Sequence, residues 1–80
     1  MSLASFLDKA HERLLDLERI LGELGDAKGA ADARAELEAV RERLKALRLQ
    51  GADLSEEAVL GFSQRLDALT ARIGALRGRA

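Results

Sequence analysis

Few residues of the chain could support metal binding or catalysis. The only histidine is His11, and Asp8 precedes it by three positions, a spacing found in half of a carboxylate-bridged dimetal motif on a helix. A complete centre needs further inward-facing carboxylates and a second histidine, which only another copy of the chain could supply. We therefore interpret His11 as a surface residue and expect no metal, no cofactor and no enzymatic activity. A metal site shared across a dimer is the third-ranked alternative.

The hydroxyl groups form no catalytic pattern either. Ser2, Ser5 and Ser55 stand where helices could begin, so we interpret them as capping candidates, and a serine triad would depend on the single histidine. The chain has no cysteine, which excludes disulfides and thiolate chemistry. Its glycines do not form a phosphate-binding loop.

Basic side chains concentrate in residues 41–48 and 72–79, and both segments could contact the phosphates of a nucleic acid. The whole chain, however, has 13 Lys and Arg against 14 Asp and Glu, a net charge of −1. Nucleic-acid-binding domains usually have a basic stripe and a high pI, and antiparallel helices would separate these two segments. Nucleic-acid binding is therefore the alternative function, and membrane binding is not expected.

Length and composition indicate one small globular domain, residues 1–80. Hydrophobic residues make up 48% of the chain, which excludes a disordered tail. No apolar run approaches the roughly 20 residues of a membrane span. The N-terminus lacks the sustained apolar stretch of a secretory signal, because charge already arrives at Asp8. We therefore expect a cytoplasmic protein.

Aliphatic side chains recur at alternating spacings of three and four in three segments, which is the pattern of a single stripe on an α-helix. The stripes are Leu3, Leu7, Ala10, Leu14, Leu17, Leu21 and Leu24; Ala30, Ala33, Leu37, Val40, Leu44 and Leu47; and Val59, Phe62, Leu66, Leu69, Ile73 and Leu76. Their phase changes at both junctions by amounts that a stutter or stammer in one long helix does not produce. The pattern therefore predicts two chain reversals.

Local residues agree with these reversals. Gly25 can end the first helix in the left-handed conformation with Asp26 as the next N-cap, although Gly29 allows a later start. Gly51 can end the second helix, and Ser55 can cap the third. The predicted helices span about 3–24, 27–49 and 56–76. The predicted fold is all-α, an up-down-up bundle of three antiparallel helices.

The predicted core is small for a chain that folds alone. A buried aliphatic side chain contributes about 1.5–3 kcal/mol, whereas ordering each residue costs about 1.5 kcal/mol. Ala30 and Ala33 bury little at the start of the second stripe. We therefore expect self-association, either of a closed bundle or of an open hairpin that a second copy completes.

Apolar residues outside the stripes are the candidates for partner binding. They are Phe6, Leu15, Leu49, Leu54 and Leu60. The predicted topology brings all but Leu15 to one end of the bundle, with Met1 and Leu3, where they form either a hydrophobic plug or a docking surface. We predict a non-enzymatic protein–protein interaction module, such as an oligomeric scaffold, small chaperone or regulatory adaptor. Its partner would be a second copy or a helical protein.

Overall fold

The computed structural model describes residues 2–79, so Met1 lies outside the described residues. Helix α1 comprises Leu3–Leu24, α2 Ala30–Gln50 and α3 Glu56–Arg79, with a 3₁₀ turn at Gly51–Asp53. All three pairs of helices pack against one another, and the described residues include no strand. The predicted all-α three-helix bundle is confirmed.

Interhelical contacts show that α1 and α2 run antiparallel. Arg48, near the end of α2, lies 3.5 Å from Asp8, near the start of α1. At the opposite end, Arg34 donates a hydrogen bond to the carbonyl oxygen of Leu21 at 3.0 Å. As the residue numbers rise along α1, their partners on α2 fall, which is the register of an antiparallel pair.

Helices α1 and α3 run parallel to each other. The rings of Phe6 and Phe62 pack edge to face with their centroids 6.2 Å apart. Farther along, Arg13 and Asp67 approach to 4.0 Å. The two contacts keep nearly the same offset in numbering, so both helices begin at the same end of the bundle, the end where α2 finishes.

The buried core consists entirely of stripe residues. Every residue that the structure buries belongs to one of the three predicted stripes, including Ala30 and Ala33. Leu3, Leu24 and Val59 are the stripe positions left partly exposed, because each lies near the end of its helix, where fewer neighbours cover it. No polar or charged side chain is buried among residues 2–79.

Glycines end α1 and α2 as predicted. Gly25 (φ 58°) and Gly51 (φ 56°) adopt positive φ, and their N–H groups donate to the carbonyls of Leu21 and Leu47. Positive φ is a conformation that glycine adopts without the steric cost imposed by a Cβ atom.

Of the starts that the sequence leaves open for α2, from an Asp26 cap to the later one that Gly29 allows, the structure has the later. The N-cap is Gly29, with φ 88° and no side-chain capping bond, and α2 begins at Ala30 rather than near residue 27. A Cβ atom on Gly29 would lie 2.9 Å from a terminal methyl carbon of Leu76. The Leu76 side chain of α3 therefore lies close to the backbone at the start of α2.

Serines cap the other two helices. The Ser2 hydroxyl accepts a hydrogen bond from the Ser5 N–H at 3.2 Å, and that of Ser55 accepts from Ala58 at 3.1 Å. Helix α3 continues to Arg79, three residues past the predicted end. Its packing through Leu76, which is buried, offsets the weak helix propensity of the glycines nearby. None of the described helices combines the length and apolar character needed to cross a bilayer.

Candidate protein-binding surface

An open apolar groove lies at the end of the bundle where α1 and α3 begin. We call it the tip groove. Its apolar lining is Leu3, Phe6, Leu54, Val59 and Leu60, and its polar lining is Ser2, Glu56 and Ser63. The first two turns of α1, the connection after α2 and the first two turns of α3 supply these side chains.

Local folding explains how these residues meet. The Ser55 cap starts α3 directly after Leu54, so Leu54 stays beside the first turns of that helix. The Phe6 ring of α1 lies against the almost fully buried ring of Phe62 in α3. This contact holds the Phe6 side chain at the boundary between the two helices. Leu60 is one residue past the stripe position Val59 and points away from the core, which leaves 58% of it exposed.

The structure brings together three of the five candidates from the sequence. Phe6, Leu54 and Leu60 line the tip groove. Leu49 shares this end of the bundle but is 89% exposed and does not line the groove. Leu15 is 51% exposed and lines a different depression between α1 and α2.

The sequence pattern places Leu3 at this end of the bundle but not among the five binding candidates, and it does not select Val59 for the surface. Both are the first members of their stripes and keep partial exposure at the mouth of the groove. Their position at the open end of two parallel helices is a signal that could have identified them.

The groove has an acidic margin. Glu56 lines it, and Asp53 and Glu57 are exposed neighbours in the sequence. Most carboxylates of the chain lie within 4.0 Å of an Arg or Lys nitrogen. Within residues 2–79, no such ion pair involves any of these three. Two of them lie in the first turn of α3, where negative charge complements the helix dipole.

The groove continues along the boundary between α1 and α3. Phe6 and Ser63 also line the next depression, which includes Lys9 and Arg13. Lys9 and Arg13 in turn line a third depression, which extends to Ile20. The three together form what we call the α1–α3 furrow, which follows α1 for about 25 Å at 1.5 Å per residue.

Three of the six arginines in the two basic segments form ion pairs within the bundle. Arg41 contacts both Glu18 and Glu38, and Arg48 contacts Asp8. In the second segment, Arg72 lies 2.8 Å from Glu36 and 4.0 Å from Asp32. All of these pairs except Arg41–Glu38 join two helices. They reduce the positive potential that these three arginines present to a polyanion.

His11 and Asp8 do not converge on a metal centre. The carboxylate of Asp8 faces Arg48, and His11 lies in the depression between α1 and α2 beside Arg41 and Lys45. In the part of the chain that the structure describes, no three His, Asp or Glu side chains are grouped to hold a metal ion.

Comparisons with protein-family models, curated proteins and solved structures found no match to this chain.

Proposed function

We propose that the chain is a non-enzymatic protein–protein interaction module whose binding surface is the tip groove. The observation that carries this proposal is Leu60, a large aliphatic side chain left 58% exposed beside four other apolar residues in a concave site. Apolar side chains that line an open groove with polar margins are typical of surfaces that bind proteins. The partner is a second copy of the chain or another helical protein.

The exposure of Leu60 also favours docking over the alternative of a hydrophobic plug. Phe6 and Leu54, which are half-buried and pack on the core, contribute to closing the end of the bundle. Leu60 is absent from that packing. Burying its exposed area against a partner would stabilise the complex by about 25 cal/mol per Å². The free chain does not receive this stabilisation.

A pair of matched variants tests the proposal. The wild-type protein would be used to select binders from a displayed library of random helical peptides, and the binders would then be assayed with Leu60→Gln and Leu49→Gln. Both substitutions replace an exposed helical leucine by the same residue, but only Leu60 lines the groove. We expect Leu60→Gln to weaken binding at least tenfold and Leu49→Gln to leave it within twofold.

Because Leu60 is exposed, Leu60→Gln should change the free energy of unfolding by no more than about 0.5 kcal/mol, so lost binding would not reflect misfolding. Binders that respond equally to both variants, or a selection that enriches no peptide, would contradict the proposal. Sedimentation of the three proteins over a range of concentrations would determine whether a second copy uses the same groove.

A further inference from the structure

We infer that the exposed face between α2 and α3, on the side of the bundle away from α1, binds the phosphate backbone of a nucleic-acid duplex. The basic side chains of this face, which we call the basic row, are Lys28, Arg43, Arg65, Arg72 and Arg79. None of them lines the tip groove, so the inference goes beyond the proposed function and does not depend on it.

The contacts of Arg72 define the register of the two helices. Arg72 of α3 lies 2.8 Å from Glu36 and 4.0 Å from Asp32 of α2. Arg65 precedes Arg72 by seven residues, and Arg43 follows Glu36 by seven. Seven residues make almost two full turns, so each arginine stays on the flank of its neighbour. Because α2 and α3 run antiparallel, Arg43 and Arg65 lie level with each other, about 10.5 Å along the bundle from Arg72.

Two further cations lie on the other side of Arg72. Arg79 follows Arg72 by seven residues on the same flank of α3, and Lys28 directly precedes the Gly29 cap of α2. Lys28, Arg72 and Arg79 line one depression. The basic row therefore combines side chains from both helices and extends about 21 Å along α3.

The chain neutralises only the middle of the basic row. Asp32 and Glu36 both lie beside Arg72. Among residues 2–79, the other four basic side chains take part in no ion pair. The five cations and two carboxylates give this face a formal charge of +3 in a chain whose net charge is −1. Level guanidinium groups repel each other, and an anion bound between them would relieve the repulsion.

The side chains between the basic levels favour phosphate over a protein partner. They are the exposed, small residues Ala39, Ala68 and Ala75. Protein interfaces depend on large apolar and aromatic side chains at their centre, whereas phosphates are bound by cations and hydrogen-bond donors alone. Guanidinium groups also match phosphate oxygens with two parallel hydrogen bonds.

A duplex is favoured over a single strand. Unpaired bases bind by stacking on aromatic rings. The only aromatic residues of the chain are Phe6 and Phe62, which pack on each other between α1 and α3. The basic row therefore offers contacts to the backbone and none to exposed bases.

Fluorescence anisotropy with a labelled DNA duplex of about 24 base pairs would test the inference. We expect the wild-type chain to bind at about 20 mM NaCl and to bind about 100-fold or more weakly at about 200 mM, because about three neutralised phosphates give a steep salt dependence. Vesicles of anionic phospholipid, tested in parallel, should bind more weakly than the duplex.

A matched pair of double variants locates the contact. Arg43→Gln with Arg65→Gln should weaken duplex binding at least fivefold. Lys9→Gln with Arg77→Gln removes the same charge elsewhere, since Lys9 lines the α1–α3 furrow and Arg77 lies about 140° around α3 from Arg72. This control should leave affinity within twofold. Neither double variant breaks an ion pair seen among residues 2–79, so thermal unfolding should be the same for both.

A third double variant acts in the opposite direction. Asp32→Asn with Glu36→Gln frees Arg72 and removes two negative charges from the face, so it should strengthen duplex binding at least threefold. Leu60→Gln should leave duplex binding within twofold, which keeps this test separate from that of the tip groove.

Several results would overturn the inference. They are no duplex binding at low salt, equal effects of the first two double variants, and tighter binding to the vesicles than to the duplex. Sedimentation would reveal a fourth, a salt-sensitive self-association that Arg43→Gln with Arg65→Gln abolishes, which would make a second copy the occupant of the basic row.

Discussion

Arg34 is the side chain that ties the start of α2 to the end of α1. Its guanidinium donates hydrogen bonds to the carbonyl oxygens of Leu21 and Gly25, which belong to the last turn and cap of α1. The Leu21 carbonyl also accepts the N–H of Gly25, whereas the carbonyls beyond the last turn of a helix have no partner within it. A cation near a helix C-terminus also complements the dipole. One half-buried arginine therefore joins the start of α2 to two backbone carbonyls at the end of α1.

Replacing Arg34 tests this role. We expect Arg34→Ala to lower the free energy of unfolding by about 1–2 kcal/mol, because two charge-assisted hydrogen bonds are lost at a site that water partly reaches. Arg43→Ala is the control, since Arg43 is exposed on the same helix and makes no ion pair within residues 2–79. Urea unfolding followed by circular dichroism would measure both variants. Equal stabilities would show that Arg34 does not anchor the turn.

At the scale of elements, the glycines of the chain differ in backbone conformation and in the space around them. Gly29 holds a left-handed conformation between α1 and α2 and lies against Leu76. Gly22 lies inside α1, where a Cβ atom would meet nothing within 4 Å. The same substitution should therefore have opposite effects at the two positions.

We expect Gly29→Ala to destabilise the bundle by more than about 1 kcal/mol, since alanine is strained at positive φ, and Leu76 would have to move. Gly22→Ala should stabilise it by about 0.5–1 kcal/mol, because alanine has the higher helix propensity. Thermal unfolding of both variants measures the difference. A lower midpoint for Gly22→Ala, or an unchanged one for Gly29→Ala, would contradict the assignment of these conformations.

The heptad spacing of the sequence was enough to predict the three helices and the membership of the core, because burial in a bundle follows the 3.6-residue period directly. The start of α2 was not predictable in the same way. Asp26 is the better capping residue by type, but α2 begins at Ala30, beside the contact between Gly29 and Leu76. That contact joins residues far apart in the chain, so local capping preferences cannot predict it.

At the scale of the whole molecule, the bundle measures 41 × 20 × 17 Å, and its tip and its flanks differ in chemistry. The tip combines an apolar groove with unpaired carboxylates, whereas the flanks of the helices are joined by ion pairs. Topology was sufficient to predict that Phe6, Leu54 and Leu60 share this end. It did not predict that Leu49 stays apart, because Leu49 lies about 200° around α2 from the core residue Leu47 and points outward.

Mapping the bound peptide onto the protein by NMR tests the central claim most directly. Backbone amide shifts would be recorded as a peptide selected from the library is titrated into the wild-type chain. The tip groove predicts the largest changes around Leu3, Phe6, Leu54 and Leu60, with little change at Leu49. Changes centred on Leu15 between α1 and α2, or no localised changes despite binding, would contradict the assignment of the tip groove as the binding surface.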